Sequence, residues 1–194
     1  MRFPEVTLGF PGWVDELLAE PDRGYPSVED RMRLAIELSR SSIRHGTGGP
    51  VGAATFDRQT NKLLAPSVNL VLASGCSIAH AEMVAIMIAQ QLVGNFDLGD
   101  EGQSPYELVA STEPCSMCLG VVPWSGVRHL VLCGARVEDA AKIGFDEGPK
   151  PAEWVKSLEE RGLTVVRDVC RGEAASVLRQ YAEMGGEIYN ARRG

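Results

Sequence analysis

The sequence predicts an α/β fold in which one mixed sheet lies between two layers of helices. Five short apolar runs typical of strands alternate with longer segments of helical periodicity. The fourth and fifth runs are joined through a helical segment, which favours a parallel pairing of these two strands. The length of 194 residues suits one domain with a full hydrophobic core.

The strands and helices follow from local patterns. Val51–Phe56 and Leu63–Leu72 flank a polar turn and predict a hairpin. The other three predicted strands are Glu107–Thr112, Val127–Cys133 and Thr164–Cys170. The predicted helices, in chain order, are Val14–Ala19, 27–45, Ala79–Val93, Cys115–Trp124, 152–161 and Gly172–Met184.

Two helix starts have clear signals. Ser27 is a good N-cap, and Asp30 three residues later supports a helix start. Pro114 suits the opening of the helix at Cys115, because proline has no amide hydrogen to satisfy. The single domain of residues 1–194 is expected to carry an N-terminal extension over about 1–26 and a C-terminal tail over about 185–194.

Composition and charge narrow the function classes. No run of 18 apolar residues occurs, so a membrane span is not expected. The start of the sequence lacks the apolar core of a signal peptide, and we therefore expect a cytoplasmic protein. The formal net charge of −7 favours a small substrate over a polynucleotide, since nucleic-acid binding surfaces usually carry a basic excess.

The five cysteines do not predict a disulfide framework, because their number is odd and no secretion signal is evident. Cys133 and Cys170 each lie in an apolar run and are expected to be strand residues. Cys76 lies in a loop just before His80 and is interpreted as a packed loop residue, with contact to a substrate pocket as the alternative.

The most informative motif pairs His80-Ala81-Glu82 with Pro114-Cys115-Ser116-Met117-Cys118. A Cys-x-x-Cys at a helix start can place both sulfurs on one metal ion, and the helix N-terminus favours thiolates. One histidine as third ligand leaves the fourth tetrahedral position of Zn²⁺ open for water, which is the catalytic arrangement. Glu82 is then placed to move protons without binding the metal.

Competing interpretations of the motif are weaker. A redox Cys-x-x-Cys would need a thioredoxin-like context, and a four-ligand structural zinc site would need a second ligand pair, neither of which the sequence offers. His129 is expected to be a strand-edge residue, and His45 a residue that ends a helix. His-x-Glu with Pro-Cys-x-x-Cys, each opening a helix, is the signature of zinc nucleobase deaminases.

These motifs resemble the cytidine deaminase-like superfamily. The stretch from Gly48 to Ala53, Asn69, the segment starting at His80 and the segment 111–118 are similar to the branch that contains guanine deaminases and tRNA adenosine deaminases. Trp124-Ser-Gly-Val, 143–149 and the terminal Ile188-Tyr-Asn-Ala-Arg resemble bacterial guanine deaminases more specifically.

The resemblance implies a three-layer α/β/α fold with a five-stranded sheet, a homodimer, and hydrolysis of guanine to xanthine and ammonia. It also implies that the tail closes over the active site, with exchange of the tail between subunits left open. Glu147 would be a second catalytic carboxylate beside Glu82. The implied substrate-binding residues are Asn69, Trp124, Ala81, Pro114, Asp146 and Tyr189.

Several alternatives remain open at this point. The substrate could be guanosine, cytosine, isocytosine, an aminotriazine such as ammeline or the wobble adenosine of a tRNA, because pocket selectivity rests on few contacts. A non-catalytic zinc scaffold is a further alternative, although a structural site has no use for Glu82. Val51 stands where this branch often has phenylalanine, which would leave a roomier pocket.

Overall fold

The computed structural model describes residues 3–20, 23–99, 106–127 and 130–190. Its strands are β1 (Gly52–Asp57), β2 (Lys62–Val68), β3 (Tyr106–Thr112), β4 (Leu130–Ala135) and β5 (Thr164–Val166). They form one mixed sheet in the order β2-β1-β3-β4-β5. β1 is antiparallel to β2 and β3, whereas β3, β4 and β5 are mutually parallel. The predicted mixed sheet with parallel fourth and fifth strands is confirmed.

The helices lie between and beside these strands. They are α1 (Trp13–Leu17), α2 (Val28–Arg44), α3 (Val71–Ser74), α4 (Ala81–Val93), α5 (Ser116–Trp124), α6 (Val137–Lys142), α7 (Trp154–Glu159) and α8 (Arg171–Glu183). Helix α2 begins where the sequence predicts, because Ser27 and Asp30 form a reciprocal capping box. Among the residues that the structure describes, no helix has both the length and the apolar composition of a membrane span.

The sheet separates two apolar cores, which is the layered arrangement the alternating pattern predicts. On one face, Met32 and Leu38 of α2 pack with Leu178 of α8. On the other face, α4 contributes Ala85 and Ile86 to a second cluster that also contains residues of α5 and α7. Successive residues of β3 alternate between the two clusters, as the period of two in a strand requires.

The predicted ends of β2 and β5 each lie four residues beyond the observed ends, and β4 spans Leu130–Ala135 instead of the predicted Val127–Cys133. β2 ends at Val68, because the Asn69 side chain accepts a hydrogen bond from the Val71 amide and turns the chain into α3. β5 ends at Val166, and Cys170 is the positive-φ N-cap residue of α8 instead of a strand residue. Cys133 is a buried strand residue as predicted. Residues 128–129, and with them the expected strand-edge His129, lie outside the described residues.

The carboxyl ends of β3 and β4 lie side by side, since these strands are parallel neighbours. Helix α5 follows the first of them after three residues, and α6 follows the second after one. In α/β sheets, ligands bind in the crevice outside the carboxyl ends of such strands. The motif at Pro114–Cys118 lies in this crevice.

Candidate active site

Three predicted metal ligands converge at the starts of two helices. His80 is the N-cap residue of α4 and Cys115 that of α5, and both have extended backbone conformations that precede the helix. Cys118 lies in the first turn of α5 and is fully buried. The His80 Nδ1 atom is 3.6 Å from the sulfur of Cys115 and 3.6 Å from the sulfur of Cys118.

This geometry fits a tetrahedral zinc ion. Bond lengths of about 2.0 Å to nitrogen and 2.3 Å to sulfur place two tetrahedral ligands about 3.6 Å apart. The three ligand atoms all lie within 4.8 Å of one another. Three protein ligands of this kind leave one coordination position for water or substrate, which characterises catalytic zinc.

The electrostatics of the sulfur pair agree with metal binding. Hydrogen bonding between the two thiols lowers the pKa of Cys115 and raises that of Cys118, so that the pair sheds its first proton easily and its second with difficulty. Two adjacent thiolates repel each other, and a divalent cation between them removes that penalty.

Glu82 lies two residues after His80, in the first turn of α4, and its side chain is buried. It faces the same cavity as His80 and Cys115. Burial, and then the negative charge of Cys115, raises the pKa of Glu82 to about 7. A carboxyl group with this pKa can both accept and donate a proton near neutral pH.

The cavity beside the ligands has a volume of about 350 Å³, which is within the range of small-molecule sites. The sequence-predicted residues that line it are Asn69, His80, Glu82, Cys115, Asp146, Glu147 and Tyr189, together with Val51. Cys76 does not line the cavity and packs against the core, which supports its interpretation as a loop residue.

Asn69 follows β2 and is almost completely buried. Its Oδ1 atom accepts a hydrogen bond from the Val71 amide at 3.1 Å. With the oxygen held by the backbone, Nδ2 is the atom that can donate to an acceptor in the cavity.

The loop after α6 brings two carboxylates to the cavity. The Glu147 carbonyl accepts a hydrogen bond from the Ser116 amide at 2.9 Å, which joins this loop to the metal-binding helix. Burial raises the pKa of Glu147 to about 7, and the charge of Cys115 contributes in the same direction. Asp146 accepts a hydrogen bond from the Gly148 amide and shapes the turn.

Tyr189 covers the site from the C-terminal tail of the same chain. Its ring centroid is 6.5 Å from that of His80 and 4.9 Å from that of Phe145. A Cβ atom at Gly49 would collide with the Tyr189 hydroxyl oxygen, so the ring rests directly on the Gly49 backbone. Asn190 fastens the tail by donating to the Gly144 carbonyl. Residues 191–194, the end of the predicted tail, lie outside the described residues.

Three of the residues predicted to contact the substrate are not among the described residues that line the cavity. Trp124 does not line the cavity, and its side chain is 86% exposed. It lies eight residues after Ser116, about 12 Å along α5, whereas the ligands occupy the first turn of that helix. Ala81 and Pro114 are buried between cavity-lining neighbours, and neither is among the residues that line the cavity.

Sequence reasoning missed Glu113, which is buried and also lines the cavity. Its carboxylate binds Arg167 with an Nε–Oε1 distance of 2.5 Å and Lys150 with an Nζ–Oε2 distance of 3.6 Å. The signal that could have identified Glu113 was a charged residue placed between an apolar strand and the Pro-Cys of the metal-binding motif. Its partners lie 37 and 54 residues later in the sequence, so the pairing could not be read from spacing.

Comparison with known proteins agrees with this site. The model of the cytidine and deoxycytidylate deaminase zinc-binding region matches residues 26–134, which include the three ligands and Glu82. The guanine deaminase of Bacillus subtilis is 35% identical over 135 residues, covering 70% of this chain and 81% of that protein.

Two solved structures extend the similarity over nearly the whole chain. A guanine deaminase from Nitrosomonas europaea has a TM-score of 0.86 and 41% identity, covering 92% of this chain and 97% of that one. The structure of NE0047 in complex with 2,6-diaminopurine has a TM-score of 0.87 and 43% identity, covering 97% and 98%. This chain therefore belongs to the zinc-binding cytidine and deoxycytidylate deaminase family, in the branch of the guanine deaminases, and is a hydrolytic deaminase of a cyclic base.

Proposed function

We propose that this protein hydrolyses the amino group of guanine, producing xanthine and ammonia. The observation that carries the proposal is the buried Glu82 beside the His80, Cys115 and Cys118 centre, in a cavity sized for a single base. The similarity to guanine deaminases, and to a protein solved with 2,6-diaminopurine, supports a purine as the base.

Three polar groups would hold the purine. Asn69 Nδ2 donates to a ring nitrogen or carbonyl of the base. The Asp146 carboxylate and the carbonyl oxygen of the protonated Glu147 carboxyl group accept from its N–H groups. These side chains all line the cavity. The set suits guanine, which presents donors and acceptors on the same edge, and it would hold the ring with its amino-bearing carbon towards Glu82.

Zinc bound by the three ligands supplies Lewis-acid activation of water at neutral pH. Glu82 accepts the proton that the attacking water loses and delivers it to the ring nitrogen next to the amino-bearing carbon. Glu147 gives its proton to the amino group, and the carbon–nitrogen bond breaks with its electron pair leaving on ammonia. The added hydroxyl becomes the carbonyl of xanthine and returns its proton to Glu147, which restores the starting state. Both carboxyl groups have pKa values of about 7, as proton transfer at neutral pH requires.

The covered site favours a free base over a nucleotide within RNA. Tyr189 and Phe145 lie over the cavity, and a polynucleotide strand would have to displace them. The net charge of −7 acts in the same direction, because it repels phosphates. A wobble-adenosine deaminase is therefore the weaker alternative.

A homodimer is part of the proposal. The side chains of Ile78, Met87, Phe96 and Trp124 are each at least half exposed and belong to α4, α5 and adjoining segments. Exposed large apolar side chains on neighbouring elements suit a protein interface, and a second copy of the chain would cover them. Sedimentation analysis measures the assembly directly.

The test of the function is an ammonia-release screen with zinc-loaded protein. The substrates are guanine, guanosine, adenine, cytosine, isocytosine and ammeline, with Glu82→Gln as the matched inactive control. We expect guanine to have the highest kcat/KM, with xanthine as the product. Turnover of another ring without turnover of guanine would overturn the choice of substrate, and no turnover of any ring would overturn the function.

A further inference from the structure

Lys150 is a buried cation next to the active-site loop. Its side chain is only 8% exposed, and its Nζ atom lies 4.0 Å from the centroid of the Trp154 ring. Among the described residues, Nζ has no acceptor at hydrogen-bond distance. Its closest charge is Glu113 Oε2, at 3.6 Å. Burying an ammonium group costs free energy of desolvation, so a lysine in this position indicates that its contacts have a function.

Glu113 is a fixed anchor for this lysine. It directly follows β3, and its amide donates to the Ala135 carbonyl at the end of β4. Its Oε1 atom accepts a hydrogen bond from Arg167 Nε. Its Oε2 atom also accepts from the Val137 amide. The sheet and the Val137 amide therefore hold Glu113 in place without depending on Lys150 or on Arg167 alone.

The segment from Glu147 to Lys150 is short and internally bonded. The Lys150 amide donates to the Gly148 carbonyl at 2.8 Å. At the other end, the Ser116 amide holds the Glu147 carbonyl. A Cβ at Gly148 would lie 3.1 Å from Ser116 Oγ, so the segment packs closely on α5. A movement of Lys150 would consequently move Glu147 as well.

We propose that Lys150 is a positioning residue that fixes the Glu147 carboxylate in the cavity through its contacts with Glu113 and Trp154. The proposal rests on the proposed function, because it assigns Glu147 a role in turnover. Lys150 does not line the cavity and so acts through the loop. The loop thus connects Glu147 to the carboxyl end of β3, the same end of the sheet at which Cys115 and Cys118 form the metal site.

The test compares Lys150→Met with Arg167→Met. Lys150 and Arg167 each pair with Glu113 and each lie over the Trp154 ring, so each substitution removes a cation with the same two contacts. Only Lys150, however, belongs to the Glu147 loop. We expect Lys150→Met to lower kcat by about 10- to 100-fold, the size of effect of a misplaced catalytic group. Arg167→Met should stay within about 3-fold of wild type at equal zinc content.

A double-substitution cycle separates positioning from general damage. If Lys150 acts through Glu147, adding Lys150→Met to Glu147→Gln should lower kcat no further. Lys150→Arg keeps the charge and should recover most of kcat. Lys150→Gln, which removes the charge but keeps a polar end, replaces the methionine variant in the same comparisons if that variant does not fold. Equal losses for Lys150 and Arg167, or full additivity with Glu147→Gln, would overturn the proposal.

Hydrogen exchange gives a readout that does not depend on turnover. The Ser116 and Lys150 amides should exchange faster in Lys150→Met than in Arg167→Met, because the loop loses its anchor. Unchanged exchange in Lys150→Met would contradict the proposal even if the enzyme were inactive on every base. Conversely, if the amides exchange faster in Lys150→Met but the wild-type protein deaminates no base, the role of Lys150 in holding the loop is supported and only the deaminase function is overturned.

Discussion

Each end of β3 has a buried glutamate paired with an arginine, but only one end borders the cavity. At the start of the strand, Glu107 Oε1 lies 2.7 Å from Arg31 Nε, and neither residue lines the cavity. At the other end, Glu113 Oε1 lies 2.5 Å from Arg167 Nε and the residue faces the cavity. A buried glutamate paired with an arginine therefore occurs both in a purely structural region and beside the active site.

Glu82 shows what separates the two kinds of region. It is as buried as the other two glutamates, but no arginine or lysine pairs with it in the part of the chain that the structure describes. Burial raises the pKa of Glu107 as well, although Arg31 and Arg58 oppose the shift. A buried carboxyl group without a cation partner, next to metal ligands, is the feature that indicates proton transfer.

The sharpest test of this comparison is Glu82→Gln. The substitution keeps the shape of the side chain and removes its proton transfer, so kcat should fall by at least about 1,000-fold. Zinc content, measured by elemental analysis, should stay at the wild-type level, because Glu82 is not a ligand. Activity within 10-fold of wild type with zinc bound would contradict the assigned role.

Arg31→Met tests the opposite end of β3. It leaves Glu107 without its closest cation in the core, which should lower the free energy of unfolding by about 3–5 kcal/mol. Denaturant unfolding measures this loss, and kcat of the remaining folded protein should be unchanged. Arg33→Met on the same helix is the control, since Arg33 is half exposed and its pair is loose. A loss of kcat at full stability would show that the two ends are coupled.

The substitution Glu147→Gln distinguishes the contributions of the two carboxyl groups to the pH dependence of the rate. Glu82 must be ionised to accept a proton, so wild-type kcat/KM should rise as the pH increases through about 7. Glu147 must be protonated to donate, so its ionisation should lower the rate at higher pH. The variant should lose about 10- to 100-fold in kcat and retain only the rising limb. A profile that keeps both limbs would assign the falling limb to another group.

The smallest expected effect concerns the tail. Gly49→Ala places a methyl group against the Tyr189 ring and should displace the cover of the cavity. We expect KM to rise several-fold, with a smaller change in kcat, because the ring closes the site without transferring protons. Gly12→Ala is the control, since a methyl group there meets no atom within 4 Å. An unchanged KM would mean that Tyr189 does not contribute to binding.

The sequence determined the chemistry of the site and the order of the strands and longer helices, whereas it did not predict the short helices α3 and α6. His80, Glu82, Cys115 and Cys118 could be identified because ligand spacing and helix-start signals are local, although the sheet is needed to bring the two helix starts together. The parallel pairing of β4 and β5 was likewise predictable from the helix that connects them.

Only the tertiary structure decided which distant residues share the cavity. Trp124 has an aromatic side chain suited to stacking on a base, but it lies at the far end of α5 from the metal ligands and is exposed. Glu113, Lys150 and Arg167 form one cluster although they are far apart in sequence. Such contacts depend on how the sheet brings loops together, and no periodicity or spacing along the chain encodes that geometry.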